Sequence, residues 1–276
     1  MSEAWSRYWA RELSGACLPG APPAVQGALE QLWRVAADGA PVAARWLDVA
    51  AGGGAVARIV RAVRADISIA GIDSAQVSAA AAALGVTGGI DAASLPFGDG
   101  CFDVVSSQFG LEYCPQPAWA EAARVLAPGG ELLLLCHHRG SAAVVQNGGR
   151  LAALRALADA GLFVLAQRVA AGLGEEPGLA RAVMAARAAH AGQLVVDELP
   201  QALGHWARLR RADAVTAIKA EALAEMQRLT AMQSAALDAP GLAMRVHWLT
   251  SVSCSFDVLA TPSGDPVGWV VRGRKT

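Results

Sequence analysis

Apolar and polar positions change their rhythm along the chain. In residues 1–40, Trp5, Tyr8 and Trp9 stand at i, i+3 and i+4, on one face of a helix. Pro22-Pro23 interrupts, and Leu29, Leu32 and Trp33 mark a second helix behind it. From residue 44 short apolar runs alternate with amphipathic ones. Strands are expected at 45–49, 67–72, 88–90, 102–106 and 131–136, with helices at 55–63, 75–84 and 117–126. That alternation predicts a parallel sheet covered by helices on both faces. After residue 140 it stops: residues 150–240 are Ala-rich and helical in spacing, with Leu151, Leu154 and Ala158, then Val215, Ile218, Ala222, Met226 and Leu229. Gly172, Gly174, Pro177, Gly192 and Pro200 are expected to cut this stretch into several helices. Strands return at 253–260 and 267–272 across Thr-Pro-Ser-Gly-Asp-Pro, a turn too short for anything but an antiparallel hairpin. The last strand is therefore expected to run against the parallel set.

Composition narrows the classes. Hydrophobic residues make up 54% and charged residues 17% of the 276, which excludes a disordered chain. No apolar run reaches the roughly 18–20 residues of a membrane span. The opening Met-Ser-Glu-Ala-Trp-Ser-Arg lacks the basic-then-apolar order of a signal peptide, so a cytoplasmic protein without a membrane partner is expected. A net charge of −1 gives no field to recruit nucleic acid, and Arg208, Arg210 and Arg211 read as a solvated helix face. Cys17, Cys101, Cys114, Cys136 and Cys254 form no Cys-x-x-Cys pair and are odd in number. That argues against a metal site and against a disulfide framework.

The chemistry concentrates at Leu47-Asp48-Val49-Ala50-Ala51-Gly52-Gly53-Gly54, an apolar strand with one acid that runs into a loop stripped of side chains. Glycine lets the backbone turn tightly and lets a ligand approach it closely. Taken alone, Gly52-x-Gly54-x-x-Ala57 also fits the dinucleotide fingerprint, with Asp73 about 20 residues on as the ribose acid. Asp48 is hard to explain structurally, because an unpaired carboxylate inside an apolar strand costs several kcal/mol. Further along come Asp91-Ala92-Ala93-Ser94-Leu95-Pro96-Phe97, Phe102-Asp103-Val104-Val105, and Arg124-Val125-Leu126-Ala127-Pro128-Gly129-Gly130-Glu131.

In this order and spacing, the segments over residues 45–138 resemble class I S-adenosylmethionine (SAM) dependent methyltransferases of the small-molecule type. The resemblance implies SAM as cofactor, with Asp48, Ala50, Gly52 and Gly54 near its methionine part. It implies Asp73, followed by Ser74, on the ribose hydroxyls, Asp91 and the Ala92 amide on adenine, and Gln108 beside the sulfonium along with Ser107 and Phe109. The family's usual first-loop glycine is Ala50 here. The Asn/Asp-Pro-Pro-Tyr/Phe sequence of base and glutamine N-methyltransferases is missing, which disfavours nucleic-acid amino methylation.

His137 and His138 end the fifth strand, where a histidine can take the acceptor's proton; strand alternation lets at most one face the pocket. Trp5, Tyr8 and Trp9 read as an ordinary packing stripe or, as the resemblance implies, a lid over the SAM pocket that touches the acceptor, with Tyr113 as an acceptor contact, while Asp99 and Asp103 read as structural. The fold expected is a doubly wound, mostly parallel, seven-stranded α/β sheet. It divides into 1–44 (helical lid), 45–144 (SAM-binding core), 145–245 (helical acceptor chamber) and 246–276 (hairpin completing the sheet). The reaction expected is methyl transfer to a small, partly hydrophobic metabolite by a monomer or homodimer. A non-catalytic SAM-binding partner protein and a nicotinamide oxidoreductase are the rivals.

Overall fold

Burial divides the sheet strands as their sequence alternation requires. In the computed structural model, which describes residues 2–10 and 21–276, β1 (Arg45–Val49) turns Leu47 and Val49 to one face and Trp46 to the other. β5 (Leu126–His137) does the same with Leu132, Leu134 and Cys136 against Leu133 and Leu135. One face packs on α5 (Gln116–Val125) and α11 (Ala239–Val246), and the other on α2 (Pro23–Gly39) and α3 (Ala55–Val63).

The remaining strands are β2 (Ser68–Asp73), β3 (Val86–Gly88), β4 (Phe102–Gln108), β6 (Val252–Ala260) and β7 (Pro266–Lys275), and the sheet order is β3-β2-β1-β4-β5-β7-β6. β1 to β5 pair in parallel, whereas β7 runs antiparallel to both β5 and β6, as the short hairpin demands. The chain winds from β1 through β2 to β3 on one side and resumes with β4 on the other, so the reversal between β1 and β4 opens a crevice at their carboxyl ends. No helix among the described residues is long and apolar enough to cross a membrane.

The chain separates into two compact units, Met1–Val144 with Ser234–Thr276, and Val145–Gln233. The second is helical: α6 (Ala142–Asp159), α7 (Leu162–Ala170), α8 (Pro177–Ala189), α9 (Val195–Arg208) and α10 (Ala212–Ala235) supply nearly all of it. Within it Leu154, Leu157, Leu203 and Leu229 are buried together, and Arg150 on α6 bonds Glu225 on α10 at 2.8 Å.

Three expectations need correction. The helical unit stops at Gln233, not 245, because Leu237 and Leu242 are buried in the sheet's own core. The helix expected over 75–84 shrinks to α4 (Ala79–Ala83): Asp73 Oδ1 accepts from the Ala75 amide, and the N-cap bond comes instead from Ser78, whose Oγ accepts from Ala81 N. Pro200 does not cut the chain but sits inside α9. Its missing amide costs one helical bond, and the buried stripe Val195, Val196, Leu199, Leu203 and Ala207 holds the helix across it. Cys17 lies outside the described residues.

Candidate functional site

At the carboxyl ends of β1, β2 and β4 lies a cavity of about 120 Å³. Asp48, Ala50, Asp73, Ser74, Gln108 and Tyr113 line it, with Trp5 and Trp9 contributed by α1 (Ser2–Trp9). Two of these side chains are carboxylates. Among the described residues lining it there is no Lys, Arg or His.

Each acid is held differently. Asp73 is buried at the tip of β2, where Oδ2 accepts from Gly52 N at 2.9 Å and Oδ1 from Ala75 N at 2.8 Å. Burial pushes its carboxyl up, and these two amides pull it back. Each oxygen keeps a lone pair, enough for a cis-diol. Asp48 is 1% exposed on β1, and Oδ1 accepts from Ser106 Oγ at 2.7 Å. Burial pushes its carboxyl up to about 7, the Ser106 bond opposes this, and Asp73 adds to the rise. Ser106 in turn accepts from Trp46 Nε1 at 2.8 Å.

The loops around the cavity are tight. Ala50 and Phe109 adopt left-handed φ of 55° and 53°, uncommon for residues with a Cβ and a mark of functional loops. A Cβ on Gly110 would fall 2.6 Å from the Ala50 Cβ, so the turns after β1 and β4 meet only because Gly110 is bare. A Cβ on Gly52 would fall 2.3 Å from a Trp9 ring carbon, so the indole of α1 lies directly on that loop. Gln108 Oε1 accepts from Trp33 Nε1 at 2.5 Å, which leaves the amide nitrogen as its free donor.

The expected site residues separate as follows. Asp48, Ala50, Asp73, Ser74, Gln108, Tyr113, Trp5 and Trp9 come together. Gly52 reaches the site through its bond to Asp73, and Tyr8 packs beside Trp9 and Ala75 behind the wall. Gly54 does not line the cavity; at φ 74° it turns the chain into α3. Asp91 is exposed with Oδ1 accepting from Ala93 N at 2.9 Å, and Ala92 is buried in the core, so neither lines the cavity.

The histidines part as strand alternation requires. His138 turns to the opposite face, with its ring 4.7 Å from Trp269 and Nδ1 accepting from Gly140 N. It does not face the cavity. His137 is buried behind the cavity wall, 4.4 Å from Phe109 and 5.7 Å from Tyr113 by ring centroids. Its Nδ1 meets Glu112 Oε1 at 2.7 Å, while Nε2 and Glu112 Oε2 are buried without a partner. Glu112 was missed from the sequence, as was Ser106. An acid inside the apolar run Phe109–Cys114 is the same signal that exposed Asp48. A serine in a strand carries no such mark. Asp99 and Asp103 are structural: they bond Arg124 and the Arg45 amide.

Residues 47–134 match a family model described as a methyltransferase domain. They include both acids, the glycine loop and most of the parallel sheet. This part of the α/β core is thus a methyltransferase domain by its sequence pattern. A C-methyltransferase of ubiquinone and menaquinone biosynthesis from Dinoroseobacter shibae is 38% identical over 127 residues, 40% of this chain and 50% of that protein. The chain thus spans about half the length of that relative. Among solved structures, a possible histamine N-methyltransferase from Thermotoga maritima is similar over 100% of both chains, at 15% identity and a TM-score of 0.49. A methyltransferase from Bacillus halodurans is 28% identical over 40% of this chain and 51% of its own, with a TM-score of 0.34.

The site suits the cofactor of this domain. SAM carries a sulfonium, an ammonium and a neutral ribose diol, and the cavity offers two acids, aromatic faces and no opposing cation.

Proposed function

We propose that this chain transfers the SAM methyl group to a nucleophilic atom of a small, partly hydrophobic molecule. The observation that carries the reading is the charge of the cavity: two buried carboxylates and no basic side chain among the described lining residues. A dinucleotide would bring a pyrophosphate, which these acids repel. The Gly52 amide that could have greeted a phosphate is already bonded to Asp73.

In this reading Asp73 and Ser74 hold the ribose, and Asp48, Ala50 and the Gly52–Gly54 loop hold the methionine end. Gln108 offers its amide nitrogen to the same pocket. When bound, SAM supplies a methyl carbon electrophilic enough that in-line alignment gives most of the acceleration. Trp5, Tyr8 and Trp9 close the pocket against water, and Tyr113 orients the acceptor. His137 remains the base candidate, since its bond to Glu112 leaves Nε2 an acceptor behind Phe109 and Tyr113. The helical unit Val145–Gln233 is assigned to choosing the acceptor. The Dinoroseobacter shibae protein is named for carbon methylation in quinone biosynthesis, so hydrophobic phenolic acceptors are the first class to assay.

Titration calorimetry with SAM, its demethylated product and NAD tests the donor. Binding of SAM and of the product, with none of NAD, is expected; preference for NAD would overturn the reading. Incubation with SAM and a metabolite extract, followed by mass spectrometry for one added methyl group, tests transfer. Binding without any methylated product would make the chain a SAM-binding partner protein instead.

A further inference from the structure

Both acids of the cavity are buried, and burial raises the carboxyl of each. Like charges sharing a desolvated site raise one another's cost of ionisation, and one group then keeps a proton. Which one keeps it follows from the hydrogen bonds. Asp73 accepts from two backbone amides, Gly52 N and Ala75 N, and amides aimed at a carboxylate favour its charged form. Asp48 has only the hydroxyl of Ser106, and it is more deeply buried.

That bond is supported from behind. An indole N–H donates and never accepts, so Ser106 must accept from Trp46. With Trp46 on one lone pair, Ser106 gives its own proton to Asp48 Oδ1 at 2.7 Å. While Oδ1 accepts from Ser106, a proton on Asp48 sits on Oδ2. The polar and aromatic groups that line the cavity with Asp48 are Asp73 at the tip of β2, Ser74 just after it, Gln108 from β4, and Cys114, Tyr113, Phe109, Trp5 and Trp9, while Ser106 and, through it, Trp46 stand behind. None is basic. The Cys114 thiol is pushed up to about 12 by burial and by Glu112, Asp73 and Asp91, so it remains neutral.

We propose that Asp48 holds a proton on Oδ2 in the ligand-free protein and releases it when the cationic methyl donor binds, with Ser106 and Trp46 as the positioning residues that direct the proton there. The Oδ2–H bond breaks, its electron pair stays on the carboxylate, and the proton passes to solvent. The charge left behind faces the positive end of the ligand. A burial-raised carboxyl near neutrality fits this exchange. The idea rests on the methyl-donor reading, yet its first half concerns the protein alone.

Infrared spectroscopy of the ligand-free protein is the test of that first half. A protonated-carboxyl band that fades as pH rises through neutrality, and is missing from Asp48→Asn, is expected. Ser106→Ala should move the fading upward by about one pH unit, because a donor to the charged form is lost, and Ser106→Thr should restore it. Absence of the band below neutrality in folded wild type overturns the proton's placement, whatever the protein binds. An unmoved transition in Ser106→Ala overturns the relay. Calorimetry with SAM in buffers of different ionisation enthalpy tests the second half. Release of about one proton just below neutrality and none in Asp48→Asn is expected. SAM binding without proton release overturns the coupling. If the band is present but SAM does not bind, the donor reading and the coupling fall together while the proton's placement stands.

Discussion

Asp73 joins the glycine loop to the crevice, so its substitution reports on both. Asp73→Ala should weaken SAM binding by about 1.5–3 kcal/mol for each ribose bond lost, whereas Asp99→Ala, exposed and paired with Arg124, should not change it. Calorimetry on folded variants checks this, and equal affinity of Asp73→Ala and wild type would remove the ribose assignment. Ala50 makes the opposite kind of prediction. Its left-handed backbone costs about 1–2 kcal/mol for a residue with a Cβ, offset in part by the greater freedom of glycine when unfolded. Ala50→Gly should therefore raise stability by up to about 1 kcal/mol in a urea titration. A drop in stability would show that the Ala50 methyl packs better than the geometry suggests.

At the scale of elements, the C-terminal strand caps a helix. Lys275 Nζ, on β7, donates to Ala123 O at 2.8 Å, Arg124 O at 3.0 Å and Leu126 O at 2.6 Å, the carbonyls where α5 ends. A cation there also complements the helix dipole. Lys275→Met should cost about 1.5–3 kcal/mol of stability and leave SAM affinity alone, which denaturation and calorimetry together will show. The α1 helix makes a kinetic prediction. Its Trp9 ring lies on Gly52, and with α1 in place the cavity is about 120 Å³, below the roughly 300 Å³ at which ligand pockets begin. The indole must turn aside for a ligand to reach the loop. Stopped-flow binding should find faster SAM association in Trp9→Ala, and an unchanged rate would mean that α1 does not block the entry.

Over the whole molecule, Asp48 should leave a mark on stability against pH. Its folded pKa lies above the model-compound value of 3.8, at about 7, so between these the native state binds the extra proton. Stability therefore falls as pH rises across that window and levels off above it. Asp48→Asn carries no such charge. The stability of Asp48→Asn relative to wild type should thus grow from acid pH to neutrality, by on the order of 4 kcal/mol at most. A difference that stays flat with pH would mean the carboxyl is not raised.

What the sequence determined by itself was whatever repeats with a fixed local period or has no tolerable bland explanation. β1 and α3 fall where apolar spacing put them, and the reversed last strand follows from a turn too short to cross the sheet. Asp48 was legible because a carboxylate in an apolar strand demands a partner. Tertiary structure alone decided which side chains meet across distant segments. Ser106 and Trp46 matter only because β1 and β4 pair in the register that sets Asp48 beside Ser106. Glu112 matters only because the turn after β4 reaches the end of β5, where its carboxylate finds His137. Asp73 was legible as an acid by its spacing from the glycine loop, but its bonds to Gly52 and Ala75, with Ser78 capping the helix, show only in the folded chain. The division at Gln233 was likewise invisible, because helical spacing in α11 is the same whichever core buries Leu242. A period tells which face of an element is apolar; only the folded chain says what that face is pressed against.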